Sequence, residues 1–212
     1  MQNIINALKN NNMDAFFADT KEDALKLLKK LLTSGETIAV GGSVTLNELG
    51  VIDLLRSGDY NFIDRYEDGI SPEETAKRLK KGLAADTFIC SSNAITKDGY
   101  LYNVDGVGNR VAAITYGPES VIIIAGKNKI VEDLKAAEIR VKTIAAPKNS
   151  NRLNADTYCL KEGSCLSLKN DTAEMCNGCT ANNRICCNYV VTAKQRTKGR
   201  IKVILVNCDL GY

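Results

Sequence analysis

The 212-residue chain contains no histidine, which excludes a Ser-His-Asp or Cys-His nucleophile pair, a histidine general base and every histidine-containing metal site. Apolar residues make up 44% and charged residues 25%, with a mean hydropathy of −0.16, which fits neither a disordered chain nor a fibrous repeat. The balance of 28 basic against 25 acidic residues leaves a formal charge of +3, far from the basic surface of a dedicated nucleic-acid binder, so no nucleic-acid partner is expected. Proton transfer near pH 7 must then come from a cofactor, a metal-bound water, or a carboxylate, Lys, Cys or Tyr of displaced pKa.

The start, Met1-Gln2-Asn3-Ile4-Ile5-Asn6-Ala7-Leu8-Lys9, lacks the basic opening and continuous apolar run of a signal peptide. No stretch approaches the ~18 apolar residues of a membrane span, so a cytoplasmic protein without a membrane partner is expected. Thr20 stands three residues before Asp23 and opens a helix with Ala24, Leu25, Leu27, Leu28, Leu31 and Leu32 at helical spacing, closed by Gly35. Thr37-Ile38-Ala39-Val40 reads as a buried strand running into Gly41-Gly42, after which Leu46, Leu49, Ile52 and Leu55 resume helical spacing. The pattern recurs with a strand over Tyr60 to Asp64, a helix from the capping box Ser71-Pro72-Glu73-Glu74 through Leu83, and a strand over Asp86 to Cys90. Lys97-Asp98-Gly99 predicts a hairpin turn before Tyr100-Leu101-Tyr102. Val121 to Ala125 is unbroken apolar and mostly β-branched, as suits a central parallel strand buried on both faces. A helix from Ile130 to about Arg140 follows, and Ile201 to Val206 supplies the last strand. Strands alternating with helices predict one α/β domain over 1–212 with a mostly parallel, doubly wound sheet. Residues 150–199 break the rhythm as a Cys-rich excursion, and 200–212 return to the core.

Three loops at strand ends carry candidate binding residues, since ligands of open α/β sheets gather at the carboxyl ends of strands. In Gly41-Gly42-Ser43-Val44-Thr45-Leu46-Asn47-Glu48 the glycines allow close backbone approach, and the following helix start suits a carboxylate or phosphate. The alternative is that Ser43 or Thr45 only caps the helix, with Thr45 and Glu48 forming a capping box. The loop is neither Walker A nor GxGxxG, and no nucleotide cofactor follows from it. The second cluster joins Ser92 and Asn93 through Asp98-Gly99 to Asn103, Asp105, Gly106, Gly108, Asn109 and Arg110. There Arg110 can hold a carboxylate bidentately and Asp105 can act as a base, unless Asn and Asp only satisfy local turns. The third, Gly126-Lys127-Asn128-Lys129, adds Asn128 as a contact and the charge of Lys129. Without histidine, Glu48, Asp98 and Asp105 are the candidate proton acceptors.

Six of the eight cysteines fall in the excursion: Cys159, Cys165, Cys176, Cys179, Cys186 and Cys187. Reduced thiols clustered in this way point to metal or redox chemistry rather than a disulfide frame. Cys176-Asn177-Gly178-Cys179 is a CxxC, and Cys186 or Cys187 with Cys159 or Cys165 can complete an all-thiolate site for zinc or an iron–sulfur cluster; free thiols or redox pairs are the alternative. Cys90 and Cys208 read as small core residues. The basic run Lys194, Arg196, Lys198, Arg200 reads as a solvated loop.

Together these motifs resemble the LUD (lactate utilization) domain family. The resemblance rests on Gly41-Gly42-Ser43-Val44-Thr45 with Glu48 and Gly50, Asn93-Ala94-Ile95-Thr96 with Asp98-Gly99, and Asp105 through Ala112. Asn128-Lys129-Ile130-Val131, Ala146-Pro147-Lys148-Asn149 with Arg152-Leu153, and Arg200 through Val206 with Leu210-Gly211 extend it over nearly the whole chain. It implies a fold similar to the sugar-phosphate isomerase and CoA-transferase superfamily and a link to oxidation of L-lactate to pyruvate in bacteria. It also implies a small anionic metabolite as ligand and work beside iron–sulfur redox subunits, with a homo-oligomer as a further expectation. A non-catalytic metal-binding subunit and a sugar-phosphate isomerase are the alternatives. Cys176, Cys179 and Cys186 resemble the Cys-rich tail of short family members, while Cys159, Cys165 and the polar spacer before Cys176 depart from it.

Overall fold

The computed structural model describes residues 1–169 and 174–212, so part of the polar spacer before Cys176 lies outside the described residues. The chain runs through α1 (Gln2–Asn10), β1 (Asp14–Ala18), α2 (Lys21–Leu31), β2 (Thr37–Val40), α3 (Val44–Glu48), α4 (Val51–Ser57), β3 (Asn61–Ile63), α5 (Pro72–Lys81) and β4 (Thr87–Cys90). It continues with β5 (Ala94–Thr96), β6 (Leu101–Asp105), α6 (Asn109–Thr115), β7 (Ser120–Gly126), β8 (Ile130–Val131), α7 (Leu134–Arg140), α8 (Ala146–Arg152), α9 (Tyr158–Glu162), β9 (Asn188–Thr192) and β10 (Ile201–Val206). Six strands pair in the order β1-β10-β7-β4-β2-β3, all parallel, as the alternation of strands and helices implies.

The apolar run of β7 has its reason in this arrangement. Val121, Ile123 and Ala125 pack on one face with Ile4, Leu8 and Ile114, while Ile122 and Ile124 pack on the other with Leu28, Leu46 and Leu55. A strand covered by helices on both faces has no solvent side, and so shows no alternation. The predicted caps form: Thr20 accepts from the Asp23 N–H and Ser71 from the Glu74 N–H.

A smaller sheet, β8-β5-β6-β9, sits beside the first and packs Tyr102 and Val104 against Ala137, Val141 and Ala146. The Lys97-Asp98-Gly99 turn joins β5 to β6 as an antiparallel hairpin, with Gly99 at φ +76°. The excursion is not wholly outside the sheets, because its β9 pairs antiparallel with β6, Asp105 opposite Asn188 and Tyr102 opposite Val191.

Other boundaries differ from the sequence reading. The segment with Leu46 to Leu55 is two helices, α3 and α4, broken at Gly50 with φ +72°, a left-handed conformation that glycine adopts without penalty. Ile130-Val131 forms β8 instead of a helix start, and α7 begins after the Asp133 cap. From there the helix continues through a π turn, Val141–Ala145, into α8. Pro147 lacks an N–H and crowds the carbonyl four residues earlier, and the wider turn accommodates both. Helix α1 and strand β1 are elements the sequence reading does not assign. Among the described residues no helix is long and apolar enough to cross a membrane.

Candidate functional site

Because all six core strands run the same way, their carboxyl ends share one edge, and the loops that follow them meet there. Gly42 to Thr45 follow β2, Arg65 follows β3, Ser91 to Asn93 follow β4, and Lys129 follows β7; together they line a cavity of about 480 Å³. That volume lies in the range of small-molecule sites, roughly 300–1,000 Å³. The end of β6 with the first turn of α6 forms a second wall, and the π turn with α8 forms a third through Val141, Ala145, Asn149 and Arg152. Arg184 to Cys186 and Tyr212 complete it.

The second wall is organised by Arg110. Its Nε and Nη2 reach Asp105 Oδ1 at 2.9 and 2.6 Å, and Nη1 reaches the Ser91 carbonyl at 2.8 Å and Asn103 Oδ1 at 2.6 Å. Nη2 also reaches Asn93 Oδ1 at 2.8 Å and the Val104 carbonyl at 3.1 Å. Every guanidinium donor therefore has a protein acceptor. Asp105 is equally engaged, since its Oδ2 accepts from the Val111 N–H at 2.9 Å. The pair is 11% and 9% exposed. In this geometry all five Arg110 donors are committed to protein acceptors instead of open to a ligand carboxylate, and Asp105 is engaged through both oxygens, with a single hydrogen bond on Oδ2. Both hold the loops after β4 and β6 in place. Gly41 belongs to the same construction, because a Cβ there would meet Cys90 Cβ at 3.0 Å and the Arg110 side chain at 3.3 Å.

The first wall is different. Ser43 caps α3 by accepting from the Leu46 N–H, whereas Thr45 is fully buried and forms no capping box with Glu48. Thr45 Oγ1 donates to the Leu210 carbonyl at 3.2 Å and accepts from Lys129 Nζ at 2.9 Å, and the same Nζ donates to Ser91 Oγ at 2.9 Å. Burial and the charges of Arg140 and Arg110 pull the Lys129 ammonium down to about 7 from the ordinary 10.5. Arg65 stands opposite Gly42, with its Nη1 3.7 Å from where a Gly42 Cβ would lie. Its Nε is buried without a hydrogen-bond partner among the described residues. Among the described residues five basic side chains, Arg65, Arg110, Lys129, Arg152 and Arg184, line the cavity against one side-chain carboxylate, that of Asp105.

Of the residues anticipated from the sequence, Gly42, Ser43, Thr45, Asn93, Asp105, Gly106, Asn109, Arg110 and Lys129 line this cavity. Asn103 lies fully buried beneath Arg110, and Gly108 is the left-handed N-cap of α6. Asn128 instead ties down the chain end, accepting from the Leu210 N–H and donating to the Gly211 carbonyl. Glu48 and Asp98 are exposed and outside the lining: Glu48 accepts from the Gly211 N–H at 2.8 Å, and Asp98 is in the β5–β6 turn. The sequence reading did not single out Arg65, Ser91 and Arg184, and it named Arg152 only among the residues that carry the family resemblance, not as a binding residue. The rule that located the other loops, polar residues just past a strand, applies equally to Arg65 after β3 and Ser91 after β4.

A family model for the LUD domain matches residues 1–206. The chain belongs to the LUD domain family. The family is associated with lactate utilization. The fold of this LUD domain is similar to the crystal structure of a DUF162 family protein from Deinococcus radiodurans at 1.70 Å resolution. The two are 14% identical with a TM-score of 0.51, over 97% of this chain and 94% of that one. No curated protein matches this chain in sequence.

The cysteine segment of the LUD domain closes a smaller cavity of about 20 Å³, lined by Cys159, Cys165, Cys179 and Cys186, while Cys176 and Cys187 are exposed. Arg184 staples the segment by donating to the carbonyls of Cys176, Cys179 and Cys186 and to the Tyr189 hydroxyl. Burial, with Cys159 and Cys165 nearby, pushes the Cys186 thiol up to about 12. Among the described residues no group of three or more Cys, Asp or Glu is gathered in a metal-holding arrangement. Cys90 is fully buried between the core strands, and burial pushes its thiol up to about 12.

Proposed function

We propose that this LUD domain binds a small anionic metabolite in the cavity at the carboxyl edge of the sheet, a hydroxy or oxo acid connected with oxidation of L-lactate to pyruvate. The observation that carries this reading is the charge of the lining: among the described residues four basic side chains, Arg65, Lys129, Arg152 and Arg184, stand beside the mutually neutralised Arg110–Asp105 pair. Arg65 presents a guanidinium whose Nε has no acceptor among the described residues, and a buried donor without a partner is costly unless a ligand supplies one. Calorimetric titration with L-lactate, pyruvate, malonate and inorganic phosphate tests it. Saturable binding that weakens in Arg65→Ala is expected, and the absence of binding by any of the four at millimolar concentration would overturn it.

A second reading concerns the cysteine segment, where four cysteines line one small cavity without being gathered, among the described residues, in a metal-holding arrangement. Four cysteines are chemically a donor set for zinc or an iron–sulfur cluster, and Cys159, Cys165, Cys179 and Cys186 would have to draw together from their present positions to serve as its ligands. The segment would then dock a redox partner in the cytoplasm. Val141, Ala146, Arg184, Ile185 and Cys186 line both cavities, so a filled thiol site would also stiffen a wall of the metabolite site. Metal analysis of anaerobically purified protein, together with the melting temperature before and after chelation, tests this reading. Metal-free protein that melts unchanged with added zinc or after cluster reconstitution would end it.

A further inference from the structure

Lys129 is the most deeply buried cation of the cavity wall, 3% exposed, and its surroundings are unusual for an ammonium. The hydroxyls of Thr45 and Ser91 are its hydrogen-bond partners, each at 2.9 Å, and among the described residues no carboxylate lies within ion-pair distance. Arg110 and Arg140 face it with like charge, the Cys90 thiol lies nearby, and Glu48 acts on it from an exposed position in which it already accepts from the Gly211 N–H. The donor count is informative. An ammonium carries three N–H groups, whereas a neutral amine carries two and a lone pair. Thr45 gives its own proton to the Leu210 carbonyl, so toward Lys129 it can only accept, and Ser91 supplies the second acceptor. Two acceptors match the two hydrogens of the neutral amine and leave its lone pair free.

We propose that Lys129 is a nucleophilic amine that forms an imine with the carbonyl of a small 2-oxo acid held in this cavity. The inference rests on the anion-binding reading above, because the cationic wall is what would hold the acid group while the amine meets the carbonyl. The nitrogen lone pair attacks the carbonyl carbon, the C=O π pair moves to oxygen, and a proton passes from nitrogen to that oxygen to give a carbinolamine. Loss of water, which carries away the former carbonyl oxygen, leaves the C=N bond, with no change of oxidation state overall. The Ser91 hydroxyl, on the amine, is placed to relay the proton, while Thr45, whose proton is committed to the Leu210 carbonyl, orients the nitrogen. Burial and the two flanking guanidiniums keep a large share of the amine uncharged at neutral pH, the condition for a lysine to act as nucleophile.

The test uses the full chain with pyruvate and sodium borohydride, which reduces an imine to a stable secondary amine, followed by intact-mass measurement and peptide mapping. One carboxyethyl group per chain on Lys129 is expected, rising between pH 6 and pH 8 and lost in Lys129→Arg and Lys129→Met. Ser91→Ala, which keeps the amine, should label several-fold more slowly. Mapping on the wild-type chain keeps the test decisive even where a variant folds poorly. If pyruvate binds calorimetrically but no adduct forms, or the label spreads evenly over surface lysines, the imine inference falls and the anion site stands. If neither pyruvate nor any other small anion binds, both fall together.

Discussion

Two parts of one cavity wall use the same kinds of residue to opposite ends. Around Arg110 the guanidinium is fully matched: its five hydrogens meet Asp105 Oδ1, the side-chain oxygens of Asn93 and Asn103 and the carbonyls of Ser91 and Val104, while Asn103 Nδ2, buried beneath it, has no partner among the described residues. Around Arg65 and Lys129 the matching is incomplete, with an Nε that finds no acceptor and an amine that meets only hydroxyls. Saturation of the guanidinium marks the first as framework, because a cation whose hydrogens are all committed to the protein stabilises that geometry and has none left for a ligand. Unmet capacity marks the second as the place where a ligand contributes the missing partner.

The sharpest way to break this comparison is Arg110→Ala. Removing one member of a buried pair leaves the Asp105 charge uncompensated, with only the Val111 N–H on it, and takes the guanidinium from Asn93 and Asn103, so a loss of about 3–5 kcal/mol in unfolding free energy by urea titration is expected. A loss below about 1 kcal/mol would show that the network is not the framework described.

Lys129→Met comes next. The folded pKa of Lys129, about 7, lies below its ordinary 10.5. Between those values the unfolded chain holds a proton that the folded chain has released, so wild-type stability rises with pH across the window. The burial penalty is present in full below pH 7 and gone above 10.5. The variant lacks it, so its stability relative to wild type should be most favourable at pH 6 and fall toward pH 9, by at most about 1.4 kcal/mol per pH unit. Paired melting curves check this, and a pH-independent difference would mean that the lysine is not held below its ordinary value.

Arg65→Ala should leave stability within about 0.5 kcal/mol while weakening anion binding roughly tenfold or more, since a hydrogen bond to a charged group contributes about 1.5–3 kcal/mol. Comparable losses of stability and binding would place Arg65 in the framework with Arg110. The smallest effect belongs to Asp98→Asn. An exposed side chain in the β5–β6 turn, outside the cavity, should change neither anion affinity nor stability beyond about 0.5 kcal/mol. A measurable change in affinity would restore Asp98 to the site.

Much of the core was legible because its signals are local. Thr20 and Ser71 cap the helices they precede, and β2, β4, β7 and β10 are short apolar runs that read directly as strands. Strand β9 was harder to see, since Tyr189-Val190-Val191 is half exposed and follows a stretch with no periodicity of its own. The break of α3 from α4 depends on one backbone angle at Gly50, and the helix start at Leu134 depends on β8 pairing with β5.

The site divides in the same way. That Gly42, Ser43, Asn93 and Lys129 follow strands is a property of the sequence, and once the strands are parallel their ends must share an edge. The sequence by itself therefore determined the LUD domain assignment, the α/β class and the strand-end loops on which ligand residues sit. Only the tertiary structure decided which charges are available. Whether Arg110 is free or saturated depends on acceptors 5 to 19 residues away. Whether Lys129 meets a carboxylate or two hydroxyls depends on Thr45, 84 residues distant, and Ser91, 38 residues distant. Composition shows which ionisable groups exist; desolvation and long-range partners, which no local pattern encodes, decide which remain free to act.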